Sequence, residues 1–193
     1  MADPAPAPAA ASPHRVRANL FARPTEWRLA DDRVYWRALD AEGGGSVATA
    51  DVAAIRLTRE PGAWGAARTH CILRTKDGRR LLISSADQTG LYSREDRSET
   101  FLPLVRHLIA SVSAANPAAR LRSGVTPFHY WGTVVALVAV LALVAAFYIA
   151  SGGAIFTPRL LLGLALVGFG APSLVRWLRA NRPARFDAAS PPL

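Results

Sequence analysis

The sequence predicts an α+β protein: a small antiparallel β-barrel or sheet closed by one C-terminal amphipathic helix, followed by a two-helix transmembrane hairpin. Three observations carry this expectation. Between residues 21 and 98, short runs rich in aromatic and β-branched residues are separated by turn signals, with no helix among them. From Phe101 the period changes, and Phe101, Leu104, Val105, Leu108, Ile109 and Val112 recur at the spacing of one helix face. Residues 128–150, FHYWGTVVALVAVLALVAAFYIA, contain no formal charge at all.

The N-terminal stretch MADPAPAPAAASPHRVR has no apolar segment of the kind a signal peptide carries. An Ala/Pro-rich stretch buries too little apolar surface to fold, so residues 1–20 read as a disordered arm. Residues 21–116 read as one cytoplasmic domain. WRLA (27–30) and RVYWRAL (33–39) flank the turn pair Asp31-Asp32, and EGGGS (42–46) reads as an open loop. Residues 46–60 hold one or two strands around Val52, Ile55 and Leu57, and PGAWG (61–65) breaks the pattern. RTHCILRT (68–75) and RRLLIS (79–84) flank KDG (76–78), a strong hairpin signal. After a polar loop comes the closing helix, with Ser98 or Thr100 as cap, Pro103 in its first turn and Asn116-Pro117 as its end. Residues 117–127 form a linker.

Residues 128–150 are expected to span a membrane, since 23 helical residues reach about 34 Å against a hydrocarbon core of about 30 Å. A helix buried in a soluble core is the alternative, but Val134 to Ala146 leaves no polar stripe. Tyr130, Trp131 and Tyr148 are placed as interface anchors. Residues 151–158 form a short external loop, and 159–178 a second span kinked at Pro172, with Trp177 as its interface anchor. Arg120 and Arg122 precede the first span, whereas Arg176, Arg179, Arg182 and Arg185 close the second and begin a basic cytoplasmic tail at 179–193. The connecting loop offers Arg159 alone, so the excess of arginine places both termini in the cytoplasm of a multi-pass inner-membrane protein.

Strands first and a closing helix last, with WRLADDRVYWR opening the sheet, ILRTKDGRRLLIS as a late hairpin and ETFLPLVRHLIASV as the helix, is similar to the bacterial pleckstrin-homology-like (PH-like) domains joined to paired membrane helices. The resemblance covers about residues 21–150. It implies a membrane-tethered module without catalytic activity, binding a protein or peptide partner or itself. The alternative is a module that senses anionic lipid or stabilises a membrane complex, through Arg74, Lys76, Arg79 and Arg80 on the late hairpin and Arg176, Arg179, Arg182 and Arg185 after the spans.

The residues themselves exclude several other classes. Of 23 Lys and Arg and 14 Asp and Glu, 18 basic and 13 acidic residues precede Phe128, a balance that makes no nucleic-acid patch by charge alone. Cys71 is the one cysteine, so no intrachain disulfide or multi-cysteine metal site can form. His70 and Cys71 are strand neighbours and point to opposite faces, which rules out a hydrogen-bonded dyad. His14, His70, His107 and His129 show no metal-ligand spacing. GGG (43–45) lacks the spacing of a phosphate cradle, and Asp31-Asp32 and Glu95-Asp96 read as turn residues. Neither expected span carries Asp, Glu, Lys or His in its middle, which argues against a transporter or an intramembrane enzyme. No catalytic residue, cofactor, metal, nucleic acid or small-molecule substrate is inferred.

Overall fold

The computed structural model describes residues 13–40, 42–60, 68–90, 93–150, 168 and 172–193. The chain divides into two compact units, Met1–Ser123 with Ala184–Leu193, and Gly124–Pro183.

The first unit is α+β. Its elements are β1 (His14–Val16), β2 (Thr25–Ala30), β3 (Arg33–Ala38), β4 (Gly44–Ala48), a single 3-10 turn (Thr49–Asp51), β5 (Val52–Glu60), β6 (Arg68–Thr75), β7 (Arg80–Ser84), β8 (Ala86–Gln88), β9 (Arg94–Asp96), α1 (Ser98–Ala115), β10 (Arg120–Ser123) and β11 (Ala184–Arg185). β1 to β4 form an antiparallel meander. Its β2–β3 connection is a two-residue turn in which Asp31 and Asp32 both take positive φ (48° and 54°), the geometry whose twist matches the flanking strands. A second sheet runs in the order β11-β10-β5-β6-β7, and β8 pairs with β9. Within the second sheet β5, β6 and β7 are antiparallel, but β10 lies parallel to β5.

Strand alternation sends Trp27, Val34 and Val47 of the first sheet and Ile55, Cys71, Leu73 and Ile83 of the second into one core. Helix α1 completes that core with Phe101, Leu104, Val105, Leu108, Ile109 and Val112, the residues of its helical period, all buried. Each such side chain contributes about 1.5–3 kcal/mol relative to exposure. His107 lies on the solvent side of α1.

The second unit contains helix α2 (Pro127–Ala150), whose first turn is capped by Thr126, its Oγ1 accepting from the N–H of His129 at 3.3 Å. This helix is long and apolar enough to cross a membrane, with mean hydropathy 2.7, and none of it is buried in the protein. A core helix of a soluble domain would be covered, so exposed Val135, Leu143 and Ile149 favour lipid as the solvent.

Several expectations need correction. No two-helix transmembrane hairpin is shown: among the described residues α2 is the single helix that meets the requirements for a span. Most of the expected second span, 159–178, lies outside the described residues, as does the expected loop 151–158. The described helical residues 172–180 rise about 14 Å and carry Arg176 and Arg179, too short and too charged a piece to cross on their own. The expected arm contributes β1, because His14 and Val16 are buried and paired against β2. Gly44 and Gly45, read as open loop, belong to β4 and pair with Arg37 and Trp36. The linker contains β10, the polar loop contains β8 and β9, and the basic tail contributes β11 with Phe186, Ala188 and Leu193 packed on the core. Pro103 sits beyond the first turn of α1, which begins at Ser98. The PGAWG break lies outside the described residues.

Gly124 takes φ +74°, and a Cβ there would run into the carbonyl oxygens of Asn181 and Arg182. At Gly132, within α2, a Cβ meets nothing within 4 Å. Gly124→Ala is therefore expected to destabilise the detergent-solubilised chain by about 1–3 kcal/mol, read as a lower melting temperature, while Gly132→Ala leaves it unchanged or raised.

Candidate functional site

Cross-strand registration decides which side chains of the second sheet share its outward face. One row runs Arg185 (β11), Arg122 (β10), Arg56 (β5), Ile72 (β6), Leu82 (β7). The next row, two residues along each strand, runs Arg120, Ala54, Arg74, Arg80. The inward partners in these strands, Ile55, Leu73 and Leu81, belong to or pack against the core, so the two rows face away from it. Six guanidiniums from five strands thus lie on one sheet face, and no acidic residue occupies either row. Arg56 sits at the centre and is half-buried. Burial first, then the neighbouring Arg122 and Arg74, pull its pKa below the ordinary arginine value.

The structure separates the basic residues expected to meet lipid. Arg74, Arg80 and Arg185 join this ladder. Lys76 and Arg79 belong to the β6–β7 turn beyond it, where Asp77 takes up the local charge. Its carboxylate accepts from the Thr75 hydroxyl and from Arg79 Nε at 2.6 Å, and these bonds, Thr75 first, hold its pKa down to about 2. Arg176, Arg179 and Arg182 belong to the second unit, where Arg176 donates to Ser173 Oγ at 3.2 Å. Of the expected interface anchors, Tyr130 and Trp131 meet edge to face in the first turns of α2 at 5.6 Å, and Tyr148 lies near its end. Trp177 meets His129 at 6.0 Å. Sequence reasoning missed Arg56, Arg120 and Arg122 as members of one face. Their alternation with Ile55, Leu57 and Leu121 was the available signal, but pairing β10 with β5 requires the parallel register that no local pattern announces.

A second arginine group shares one buried carboxylate. Glu26 on β2, whose side chain is 3% exposed, faces Arg15 at 2.7 Å, Arg28 at 2.7 Å and Arg37 at 3.6 Å. The hydrogen bond from Arg15 is the main reason its pKa lies below the usual carboxylate value.

The histidine and cysteine neighbours behave as strand alternation requires. Cys71 is fully buried and its thiol is pushed up to about 12 by that burial, so it stays protonated at neutral pH. His70 lies on the other face, with Nε2 3.5 Å from Glu60 and Nδ1 without a hydrogen-bond partner. His14 is buried, Nε2 donating to the Ser84 carbonyl at 2.8 Å and Nδ1 accepting from Thr100 Oγ1 at 2.8 Å. Burial lowers its pKa, so it is neutral in this place. Among the described residues no three His, Cys, Asp or Glu side chains form a group that could hold a metal ion.

Glu60 is held by His70 and by Arg68, whose Nε donates at 2.6 Å, and its pKa falls from 4.5 to about 2. A carboxylate with a depressed folded-state pKa stabilises above its unfolded value and ceases to do so as pH falls through the folded one. The melting-temperature gap between the parent chain and Glu60→Gln should therefore be full above pH 4.5 and close as pH approaches about 2. Its half-exposed carboxylate makes that gap modest. Comparison of the chain with models of protein families, with curated proteins and with solved structures returns no match, so the reading of this face rests on its own chemistry.

Proposed function

We propose that this chain is a membrane-anchored module without catalytic activity, whose arginine ladder docks on anionic lipid headgroups at the cytoplasmic face of a bacterial inner membrane. The observation that carries the reading is the convergence of Arg56, Arg74, Arg80, Arg120, Arg122 and Arg185 on one outward sheet face. Guanidiniums match phosphate oxygens in geometry as well as charge. Each basic residue near an anionic leaflet adds about 1 kcal/mol, so a ladder of this size gives on the order of a few kcal/mol once it is held at the surface. The covalent chain supplies the holding. Arg122 is five residues from Pro127, where α2 begins, a reach of at most about 18 Å. Nucleic acid would demand the same charge, but nothing would bring it to a domain whose chain enters lipid.

Ser123 and Ala184 are cross-strand partners. The stretch between them therefore leaves and rejoins the first unit on one side of the bilayer, which supports termini in a common compartment. The element order, a four-strand meander, a three-strand meander and then a helix on the core, supports kinship with the bacterial PH-like domains. A second reading, docking of a peptide strand, is favoured by β7 standing at the end of its sheet order.

The test uses full-length protein in nanodiscs containing photoactivatable phosphatidylserine or phosphatidylcholine. Crosslinks from phosphatidylserine should map to β10 and to the outward positions of β5–β7, fall several-fold in Arg120→Glu/Arg122→Glu, and vanish at about 1 M salt, where the screening length is about 3 Å. Equal crosslinking from both lipids would overturn the lipid reading. Protein crosslinks concentrated at β7 in native membranes would favour the peptide reading.

A further inference from the structure

The β1–β2 connection, RANLFARP (17–24), carries an almost fully exposed aromatic ring: Phe21 is 98% exposed and its neighbour Leu20 37%. The tip is nonetheless ordered. Asn19 Oδ1 accepts from the N–H of Phe21 at 3.0 Å and of Ala22 at 2.8 Å, and the Asn19 carbonyl also accepts from Ala22. The base of the loop is tied down by Gln88, whose N–H donates to the Arg17 carbonyl at 2.9 Å, and by the N–H of Arg17, which donates to Asp87 Oδ1 at 2.7 Å. A third apolar side chain, Leu39, is 43% exposed at this same end, its N–H donating to the Pro24 carbonyl. Arg17 and Arg23 flank the tip, while Arg15 below it is paired with Glu26.

Register shows which end of the domain this is. β10 runs parallel to β5, with Arg120 beside Ala54 and Ser123 beside Leu57, so the chain leaves toward Glu60. Glu60 pairs with Arg68, and Arg68 Nη1 donates to the Ala18 carbonyl at 3.4 Å. Leu57 and Glu60 are three residues, or about 10 Å, apart along the strand. The chain therefore exits toward α2 at the end of the domain that holds Leu20, Phe21 and Leu39. The Asp77-Gly78 turn of the basic hairpin lies at the other end, since Thr75 pairs with Val52, the first residue of β5.

We infer that Leu20 and Phe21, with Leu39 beside them, form an interfacial anchor that seats in the headgroup layer of the bilayer entered by the chain. The inference rests on the proposed membrane tether and deepens it by naming a second, apolar contact with the lipid beside the arginine ladder. Isolated exposed apolar residues are ordinary on proteins, but three at the exit end, two of them on a turn held by its own hydrogen bonds and flanked by Arg17 and Arg23, match the apolar-tip, basic-collar chemistry of an interfacial contact. Lipid is favoured over a protein partner because the chain leaves β10 for the apolar helix α2 from this end.

Full-length protein carrying a nitroxide at Phe21→Cys, Leu20→Cys, Leu82→Cys or Lys76→Cys, in nanodiscs of phosphatidylcholine with and without phosphatidylserine, tests this by accessibility to oxygen and to an aqueous nickel chelate. Buried Cys71 escapes labelling, and Leu20→Cys retains the Phe21 ring. Labels at 20 and 21 should shift to high oxygen and low nickel accessibility in both membranes, while the label at 76 stays aqueous. Water-like values at 20 and 21, or exclusion of both reagents as in a protein contact, would overturn the anchor. The label at 82 reports the ladder separately: shielding there only with phosphatidylserine, with an aqueous tip, sinks this inference and leaves the ladder reading standing, and the converse pattern sinks the ladder alone.

Discussion

Strand β10 makes two pairings at once, parallel to β5 and antiparallel to β11, and most of what the protein can do depends on them. Four residues suffice because both neighbours supply backbone partners, while Leu121 fills the core side and Arg120 and Arg122 the outer side. Without β10, β5 would end the sheet, Arg185 would have no strand to register against, and the segment 124–183 would hang from the domain by flexible ends. With it, a long insertion leaves and returns between adjacent strands, and the backbone turns at Gly124 in a conformation that side chains rarely adopt.

Those pairings bring like charges together, which costs stability in the isolated domain. Arg56, Arg122 and Arg74 lie near enough for their mutual repulsion to register in the pKa of Arg56. The first sheet deals with the same problem differently, placing Glu26 among Arg15, Arg28 and Arg37, so that one carboxylate lies between the three guanidiniums. Two sheets of one domain therefore carry arginine groups of three and six with different surroundings. The first group is built around a carboxylate, whereas the second has no acidic residue within its two rows.

The parts legible in the sequence were those governed by local period and turn chemistry. The six apolar positions of α1, the Asp31-Asp32 turn, the Asp77-Gly78 hairpin and the apolar run of α2 all announce themselves within a dozen residues. What stayed hidden depends on partners far along the chain. His14–Val16 looks like part of a Pro-rich arm until β2 and the Ser84 carbonyl, 70 residues away, take up its polar groups. Gly44 and Gly45 have no strand propensity, yet they pair because Trp36 lies across from Gly45 and its ring leaves no room for a side chain there. The Arg-rich tail reads as topology-determining charge, while the backbone of Ala184 and Arg185 is extending a sheet. The arginine ladder was half visible as a hairpin cluster, but its other half needed the long-range register.

A tether changes what a weak contact is worth. A ladder of exposed arginines or a single inserted ring would hold a free domain to a bilayer only fleetingly, because each binding event would have to repay the loss of translational freedom. In the proposed arrangement α2 meets that cost, and the few residues between Arg122 and Pro127 keep the domain's local concentration at the surface high. Contacts worth only a few kcal/mol then suffice to choose between a docked and an undocked domain. Since a contact made by the ladder would be screened by salt and one made by the apolar tip would not, the balance between the two proposed contacts would set how strongly leaflet charge governs that choice.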